Sequence, residues 1–391
     1  MNTVEIESLV QKTRQCNPAT LGRPLFRYID ISSIDRQDKR IAKAQIICSN
    51  EAPSRARKLV SAGDVLVSTV RPNLNAVALV SKQYDSEIAS TGFCVLRPNK
   101  NLIEPTYLYY FVQTERFIQH LVQLATGAGY PAVSDADILE TEIPRPPLPE
   151  QKRIAALLDK ADRLRRSRRF AQELSSGFLQ SAFLEMFGDP LTNLHGWERV
   201  RLREIAERFS DGPFGSNLKS SHYKEQGIRV LRLQNIGVGE LINTDKAYIA
   251  REHFESLIQH RCIPGDIIVG TMGDPNLRAC ILPPSIPEAL NKADCVQVRA
   301  DVARVYPEYI CWLLNLPSTL LLASGMILGQ TRSRISMGRL AELVVPIAPL
   351  VKQEKFVTVV HGVERLRAQQ REAERQAEHL FQTLLHRAFS N

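Results

Sequence analysis

The sequence predicts a mixed α/β (α+β) fold in which two globular domains, related by a pseudo-twofold axis, are separated by two long antiparallel coiled-coil helices. Two observations lead to this fold class. The chain repeats itself at a constant offset, and each copy ends in a long amphipathic helical segment. The chain has 391 residues and 44% of them are hydrophobic, which is enough to build the cores of two or three domains.

The internal repeat keeps one register, an offset of 202 residues. AGDVLVST at 62–69 matches PGDIIVGT at 264–271, where 264 − 62 = 202. PTYLYYF at 105–111 matches PEYICWL at 307–313 with the same difference. Solenoid units recur every ~20 to 50 residues, so a repeat of this length indicates a duplicated domain.

Each copy divides into a globular region and a terminal helix. GDVLVSTV at 63–70 and GDIIVGTM at 265–272 predict buried strands that are entered through a Gly-Asp turn. The segment that begins at Pro105 has helical periodicity with proline in its first turn. The predicted segments are a first globular domain (1–146), a central helix (147–188), a second globular domain (189–348) and a distal helix (349–391).

The two long helices carry signals for their ends and for a partner. Pro147 suits the first turn of the central helix, and Gly188 suits its end. Apolar side chains recur on one narrow stripe along 154–182 and again along 356–388. Helices of ~50 Å, at 1.5 Å per residue, with such stripes need a partner, and the economical partner is the other helix. An antiparallel pair would relate the two copies by a pseudo-twofold axis.

The charge favours a polyanionic partner such as nucleic acid. Lys and Arg number 50 against 42 Asp and Glu, a net charge of +8. The excess is concentrated in residues 151–170, which hold eight cationic residues against two acidic ones. Within this run Arg165, Arg166 and Arg169 are candidates for contact with DNA phosphates or with an acidic partner protein. The alternative is a set of solvated charges along the coiled coil.

Motifs for catalysis and for metal binding are missing from the sequence. It has no GxxxxGK[ST] phosphate loop, and its glycine pairs do not complete a dinucleotide-binding motif. Seven scattered cysteines form no CxxC pair, so we expect neither structural zinc nor disulfides. The start of the chain lacks an apolar signal segment, so we expect a cytoplasmic protein. Because the catalytic motifs are missing, we also expect a non-catalytic protein. The apolar stretch at 311–328 is interpreted as a buried helix, because polar residues and Pro317 interrupt it.

Four features together resemble a known family. They are PLPEQKRIAALLDKADRLR at 147–165, FLQSAFLEMFGDP at 178–190, the pattern of Trp197 followed by LREI at 202–205, and the 202-residue duplication. The chain thereby resembles, over nearly its whole length, the DNA specificity (S) subunits of Type I restriction-modification systems.

The resemblance implies two target-recognition domains, each reading one half of a split, asymmetric site in double-stranded DNA. It also implies that the long helices dock two methyltransferase (modification) subunits, and that two restriction/translocase subunits join the larger complex. S-adenosylmethionine, ATP and Mg²⁺ would belong to those partners, with no cofactor or metal in this chain.

The sequence departs from the family pattern in two places. The first copy lacks the Trp…LREI…GPFGS opening and begins abruptly at 21–35, so we expect its outer strands to be incomplete. In the distal helix LVKQ at 350–353 replaces LPEQ at 148–151, so we expect that helix to start less sharply.

Loops that recur at equivalent positions but differ in content are the candidate DNA readers. One pair is 71–75 and 274–278, and the second is 126–131 and 328–334. Arginine can contact guanine and asparagine can contact adenine, each through two hydrogen bonds. The alternative for the first pair is a polar turn stabilised by Pro and Asn. The candidate residues are Arg71, Asn73, Asn75, Thr126, Tyr130, Asn276, Arg278, Gln330, Thr331, Arg332 and Arg334, with Lys219 and Ser220 from a third loop.

A different class of function is compatible with the same composition. A non-DNA structural adaptor could join protein partners through a coiled-coil rod and bind peptides with its globular domains. Binding to duplex DNA that weakens with salt would distinguish the two hypotheses.

Overall fold

A computed structural model describes residues 2–329 and 333–390, the side chains of 174–176 excepted. Its contacts divide the chain into two compact units. Unit 1 comprises Met1–Ala171 and Gln370–Asn391, and unit 2 comprises Gln172–Gln369. Each unit therefore contains one globular region and parts of both long helical segments, whereas the sequence predicted four consecutive segments.

Unit 1 is built from two four-stranded sheets, in the orders β6-β3-β10-β7 and β2-β11-β8-β9, together with the strand pairs β1-β12 and β4-β5. Its strands are β1 (Thr3–Glu5), β2 (Val10–Gln11), β3 (Leu25–Ile29), β4 (Ile34–Asp35), β5 (Arg40–Ile41), β6 (Gln45–Cys48), β7 (Ala56–Leu59), β8 (Val65–Ser68), β9 (Val77–Leu79), β10 (Ile88–Ser90), β11 (Phe93–Pro98) and β12 (Glu142–Pro144). Its helices are α1 (Pro105–Phe111), α2 (Glu115–Leu124), α3 (Asp135–Leu139) and α4 (Leu148–Ser176), the last of which extends into unit 2.

Unit 2 repeats this plan with sheets in the orders β14-β22-β19-β20 and β15-β17-β16-β21-β18 and with the pair β13-β23. Its strands are β13 (Glu198–Arg201), β14 (Ala206–Ser210), β15 (Tyr223–Lys224), β16 (Ile228–Leu231), β17 (Ala247–Ile249), β18 (Arg261–Cys262), β19 (Ile267–Gly270), β20 (Arg278–Ile281), β21 (Ala289–Asn291), β22 (Cys295–Ala300) and β23 (Val344–Ile347). Its helices are α5 (Phe178–Phe187), α6 (Arg251–Glu255), α7 (Pro307–Leu314), α8 (Pro317–Leu322) and α9 (Met337–Ala341). The last helix of the chain, α10 (Leu350–Phe389), starts in unit 2 and ends in unit 1.

The duplication predicted from the sequence is confirmed at the level of individual contacts. Asp64 pairs with Arg97 at 2.7 Å in unit 1, and Asp266 pairs with Arg299 at 2.7 Å in unit 2. These positions differ by 266 − 64 = 202 and 299 − 97 = 202. In both units the aspartate is only 1% exposed, so each ion pair holds the strand that follows the Gly-Asp turn against its neighbour in the sheet.

A buried glutamine fixes the start of each long helix. Gln151 accepts a hydrogen bond from the Glu104 backbone N–H at 2.9 Å, and Gln353 accepts one from the Tyr306 N–H at 2.9 Å. α4 and α10 begin at the same repeat position, Leu148 and Leu350, where 350 − 148 = 202. The expectation that the distal helix starts less sharply is therefore wrong.

The outer strands of the first copy are present, contrary to the expectation from the sequence. β1 pairs with β12 through Val4 and Ile143, and β13 pairs with β23 through Val200 and Val345. Here 200 − 4 = 196, whereas 345 − 143 = 202. Unit 2 has six more residues than unit 1 between this first strand and the Gly-Asp turn, since 266 − 200 = 66 and 64 − 4 = 60. This difference shifts β1 and β13 out of the 202 register, which is why their match was not visible in the sequence.

The prediction that the apolar stretch at 311–328 is one buried helix is confirmed only for its first part, since α7 ends at Leu314 and Leu321 and Leu328 are 61% and 57% exposed. α7 lies in the core of unit 2, with Ile310 through Leu314 each at most 2% exposed. Pro317 starts the short helix α8. Within the described residues no helix combines the length and apolar content needed to cross a membrane.

α10 contributes to the core of both units. In unit 1, Phe381, Leu385 and Phe389 of α10 are buried with Ile154 and Leu158 of α4. Phe389 also lies 4.9 Å from the ring of Tyr107 in α1. This contact joins the end of the chain to the globular core of unit 1.

In unit 2 the first half of α10 has the corresponding role. Phe356 and Val360 are buried with Leu179, Phe183 and Phe187 of α5. The Phe356 ring lies 5.3 Å from Phe183 and 5.5 Å from Phe187, at steep angles that aromatic pairs prefer.

Three arginines of the basic run, Arg165, Arg166 and Arg169, are ion-paired inside unit 1. Arg165 is 5% exposed, bonds to Asp162 at 2.6 Å and Glu378 at 3.2 Å, and stacks on the Phe381 ring at 4.1 Å. Arg166 pairs with Asp162 at 2.6 Å. These contacts occupy the guanidinium groups of both arginines, which were candidates for phosphate or partner contact.

Arg169 completes this ion-pair cluster. It contacts Asp38 at 2.8 Å and Glu374 at 3.4 Å, and its side chain is 15% exposed. Residue numbers rise along α4 while those of the paired glutamates fall along α10, since Arg165 meets Glu378 and Arg169 meets Glu374. The two helices therefore run antiparallel in unit 1, as the sequence predicted.

Burial and pairing act in opposite directions on the charged groups of the cluster. Burial alone would lower the pKa of Arg165, but the Asp162 and Glu378 carboxylates raise it overall. Burial alone would raise the pKa of Glu378, but hydrogen bonds from Gln382 and Arg165 lower it overall. Both groups therefore stay charged at neutral pH, and the cluster stabilises the antiparallel helix pair.

Because α10 serves two cores, single substitutions in it should destabilise one unit at a time. We expect Phe381→Ala to cost unit 1 about 3–5 kcal/mol and Phe356→Ala to cost unit 2 a similar amount, since each creates a cavity in one core. Native-state hydrogen exchange of β8 and β19 measures the two effects separately. Leu380→Ala, at a site 45% exposed, is the matched control. Equal loss of protection in both units from Phe381→Ala would contradict this account.

Removing the cation of the cluster should destabilise unit 1 without any ligand present. Arg165→Gln leaves the buried Asp162 carboxylate with fewer partners, and we expect a loss of about 3–5 kcal/mol in the free energy of unfolding. Arg163→Gln is the control, because the Arg163 side chain is 69% exposed and pairs with Asp159 one turn away. Chemical denaturation measures both variants, and equal stability of the two would disprove the structural role of Arg165.

Candidate nucleic-acid interface

In unit 1 the two loops singled out by the repeat lie side by side. Arg71 adopts a left-handed conformation (φ 50°), and its backbone N–H donates to the Pro131 carbonyl at 2.7 Å. Its guanidinium lies 4.6 Å from the centre of the Tyr130 ring, and Tyr130 is 73% exposed. Thr126 and Asn73 are exposed as well. The structure thus brings Arg71, Asn73, Thr126 and Tyr130 together on one surface.

Asn75 is part of the same loop but faces inward. It is 8% exposed, has a left-handed φ of 42°, and its side-chain amide donates to the Val112 carbonyl at 2.9 Å. Its own backbone carbonyl accepts a hydrogen bond from Lys39 Nζ at 2.7 Å. Asn75 therefore holds the loop in place, and we leave it out of the contact surface.

The corresponding loops of unit 2 adjoin in the same way. The bridge between Val70 and Ala132 in unit 1 recurs between Met272 and Arg334 in unit 2. The Gly273 N–H donates to the Ser333 carbonyl at 3.1 Å, which fixes the two loops on each other.

The predicted residues of these unit 2 loops differ in exposure. Asn276 is 6% exposed and donates to the Ser333 carbonyl at 3.1 Å, so it acts inside the loop as Asn75 does. Arg278 is half-buried on β20. Gln330, Thr331 and Arg332 lie outside the described residues.

On the loop surface of unit 2, neighbouring side chains orient the exposed cation Arg334. Its Nε lies 2.5 Å from Asp294 Oδ1, its guanidinium lies 5.5 Å from the Phe214 ring centre, and 41% of the side chain is exposed. Lys219 and Ser220 are exposed in the loop that follows Phe214. The loop that contains Phe214 therefore meets the candidate loop of unit 2 that contains Arg334.

Sequence analysis missed part of the unit 2 surface. Tyr223 carries two cations on its ring, Arg232 at 5.8 Å and Lys292 at 5.7 Å, and Lys292 Nζ donates to the Tyr223 hydroxyl at 3.2 Å. A Cβ atom at Gly212 would lie 2.2 Å from the Lys292 carbonyl carbon, so only glycine allows this close approach. The GPFGS stretch at 212–216 was the available signal, since its glycine packs the loop onto Lys292.

Basic residues were missed in unit 1 as well. Arg14, Arg55 and Arg57 are exposed or half-exposed, and none has a carboxylate at ion-pair distance among the described residues. The Cys16 N–H donates to the Arg57 carbonyl at 2.8 Å, which places the Arg14 segment beside β7. Their spacing in the sequence, in two separate segments, gave no signal of this cluster.

The thiol groups that the structure buries lack the character of nucleophiles. Burial raises the pKa of Cys94 and of Cys280 to about 12. Among the residues described, no cluster of three or more His, Cys, Asp or Glu side chains could hold a metal ion. The chemistry that the two surfaces offer is hydrogen bonding and charge from Arg, Lys, Asn, Thr and Tyr side chains.

Comparisons with known proteins agree with this geometry. Residues 28–170 match the family described as Type I restriction modification DNA specificity domain. The MjaVIII specificity subunit of Methanocaldococcus jannaschii, a Type I restriction enzyme subunit, is 23% identical over 223 residues, which cover 54% of this chain and 50% of that protein. The aligned part thus spans about half the length of this curated relative.

Two solved structures are similar over the full chain. A chain from a structure on complex assembly and conformational transition of the Type I restriction-modification system has a TM-score of 0.63 and 28% identity, and the match covers 99% of this chain and 97% of that one. The Type I restriction-modification S subunit of M. genitalium has a TM-score of 0.59 and 16% identity, with 99% and 96% covered, and shows the shared fold. With its duplicated domains, paired helices and the family match over residues 28–170, the chain is similar to the DNA specificity subunits of Type I restriction-modification systems.

Proposed function

We propose that this chain is the DNA-recognition subunit of a Type I restriction-modification complex, in which each unit reads one half of a split, asymmetric site in duplex DNA. The observation that carries the proposal is a common scaffold with unlike loops. The same backbone bridge joins the loops in both units, but unit 1 presents Arg71 and Tyr130, whereas unit 2 presents Arg334 and the Tyr223–Lys292 pair. Unlike side chains on matched loops suit unlike half-sites.

The side chains on these surfaces fit DNA chemically. An arginine can donate two hydrogen bonds to guanine, and lysines or arginines without carboxylate partners neutralise phosphates. Among the residues that the structure describes, Lys292, Arg55 and Arg57 have no carboxylate at ion-pair distance. The surplus of eight positive charges over the whole chain supports an anionic ligand.

The chain would deliver DNA to enzymes that carry the reactions. We propose that two methyltransferase subunits dock on its long helices and that two restriction/translocase subunits complete the larger complex. S-adenosylmethionine, ATP and Mg²⁺ would bind to those partners. Such a complex acts on cellular DNA, so we expect the chain in the cytoplasm.

Exposed apolar side chains on the helices support the docking proposal. Leu157 and Leu164 of α4 are 44% and 42% exposed and lie two turns apart on one face of unit 1. In unit 2, Phe178 and Leu184 of α5 are 52% and 39% exposed. Apolar side chains left in water on a helix are typical of a surface that a partner covers.

If each unit reads its own half-site, substitutions in the two units should relax recognition in different halves. Mapping methylated adenines in cells that carry the chain with its methyltransferase defines the site. We then expect Arg71→Gln and Arg334→Gln each to cost about 1–3 kcal/mol in binding of the complex to that duplex, with lost discrimination in one half for each variant.

Arg163→Gln on α4 serves as the binding control, and thermal unfolding of Arg334→Gln checks that the loss of its contact with Asp294 leaves the fold intact. Wild-type affinity should also fall as salt rises. Salt-independent binding would favour the protein adaptor. If both variants lost discrimination in the same half-site, the proposal that each unit reads its own half-site would be refuted.

For docking, Leu157→Glu should weaken binding of the methyltransferase subunit at least about tenfold, because a carboxylate would enter an apolar contact. Leu194→Glu is the matched control, at a leucine 86% exposed and outside the helices. Isothermal titration with the purified methyltransferase measures both. Equal affinities would place the docking surface elsewhere.

A further inference from the structure

The turn between β4 and β5 of unit 1, residues 36–39, is rigidly built. Asp35 Oδ1 accepts hydrogen bonds from the backbone N–H groups of Gln37 at 2.9 Å and Asp38 at 3.0 Å. Ile34 and Ile41 on either side are buried. The turn is therefore fixed at its base by the core and at its tip by an aspartate.

Lys39, the last residue of the turn, connects it to the candidate DNA-reading loop. Its backbone is left-handed (φ 52°), and its carbonyl accepts a hydrogen bond from the Tyr109 hydroxyl at 2.9 Å. Its Nζ donates to the Asn75 carbonyl at 2.7 Å. Asn75 closes the loop that begins at Arg71, so this hydrogen bond joins a fixed turn to the base of the reading loop.

The same turn is also tied to the long helix α4. Asp38, next to Lys39, accepts a hydrogen bond from Arg169 at 2.8 Å and forms an ion pair with Arg40 at 3.2 Å. Both carboxylate and guanidinium are mostly buried, at 16% and 15% exposure, which strengthens a charged hydrogen bond relative to water. The position of the turn therefore depends on α4.

Unit 2 has no such connection among its described residues. In unit 2 the equivalent turn is closed by a bridge between Ile236 and Leu241. It contains Gly239 (φ 74°) in place of Lys39. A Cβ atom at Gly239 would lie 2.4 Å from the Trp312 ring, so no larger residue fits. Leu277, fully buried and left-handed (φ 63°), stands at the position of Asn75, since 277 − 75 = 202.

We propose that Lys39 is a positioning residue for DNA recognition by unit 1: through the Asn75 carbonyl it holds the 71–75 loop in register with a turn that Asp38 and Arg169 fix to α4. This inference rests on the proposed function for its DNA readout. The loop of unit 2 is held without such a lysine, by hydrogen bonds from the Gly273 N–H and the Asn276 side chain to the Ser333 carbonyl, so Lys39 affects one half-site.

The charges around Lys39 give the contact a defined pH dependence. Burial, followed by the nearby Arg165 of α4 and Arg36 of the turn, lowers the pKa of Lys39 to about 8, and Asp35 opposes this shift. Tyr109 of α1 is the other titratable group against it, and Asp38 and Arg40 are paired beside it. Opening the loop would return Lys39 to water and raise its pKa towards about 10.4, so opening takes up a proton. The closed loop is therefore favoured progressively as pH rises from about 8 to 10.

A nitroxide spin label on the exposed position 73 reports the loop directly in DNA-free, full-length protein. The label is introduced with Asn73→Cys in a Cys48→Ser background, because Cys48 is the exposed cysteine among the described residues. In the parent protein we expect a restricted label whose mobility decreases further between pH 8 and 10. Lys39→Met should give a more mobile label without this pH change, and Lys39→Arg should give a restricted label without it, because arginine stays protonated.

Lys43→Met is the control, at an exposed lysine of the same segment, and it should match the parent protein. Without the label, Lys39→Met should weaken DNA binding about tenfold, as expected for one lost hydrogen bond, and only through the half-site that Arg71→Gln affects.

The proposal is overturned if the label in Lys39→Met is as restricted as in the parent at pH 8, or if it keeps the same pH change. It is also overturned if the DNA effect falls on the other half-site. A complex that binds no DNA while the label behaves as expected would instead refute the proposed function and leave the positioning contact intact.

Discussion

The structure depends on one shared element, the last helix of the chain, which supplies apolar side chains to two separate cores. Phe356 and Val360 complete the core of unit 2, and Phe381, Leu385 and Phe389 complete that of unit 1. Each fully buried side chain of this size contributes about 1.5–3 kcal/mol relative to exposure. The core of unit 1 therefore forms only when residues of α10, more than 200 positions away in the sequence, pack against it. Closing such a long loop has an entropic cost that local structure cannot offset.

Charge adds specificity to this packing. Apolar stripes alone do not fix the register or the relative direction of two packed helices, since leucine side chains can pack against one another in several alignments. The buried Asp162 and Arg165 have few acceptable neighbours, because an unpaired charge in the interior is costly. Pairing with Glu374 and Glu378 satisfies the cluster in one register and one direction. The arginines that look like a ligand site in the sequence thus serve to align the helices in unit 1.

The duplicated scaffold separates what must stay constant from what can vary. The buried pairs of Asp64 with Arg97 and of Asp266 with Arg299 hold the same strands in both units. The loops that follow those strands are held by backbone bridges, which place no demand on side-chain identity. Their exposed positions are therefore free to carry different recognition chemistry. Asn75 and Leu277 show the limit of this freedom, since both are buried and both close their loop in a left-handed conformation.

The sequence by itself determined the duplication, the long helices, the buried strands and the two pairs of loops, because periodicity, proline and glycine positions and repeat register are local properties. Only the tertiary structure decided which polar residues face outward: Asn73 and Asn75 are two positions apart, yet one is exposed and the other is bonded to Val112. It also decided the partners of Arg165 and Lys39 and revealed the shifted outer strands of the first copy. These contacts join backbone and side-chain atoms distant in sequence, so their partners are set by how the chain returns on itself and not by local residue type.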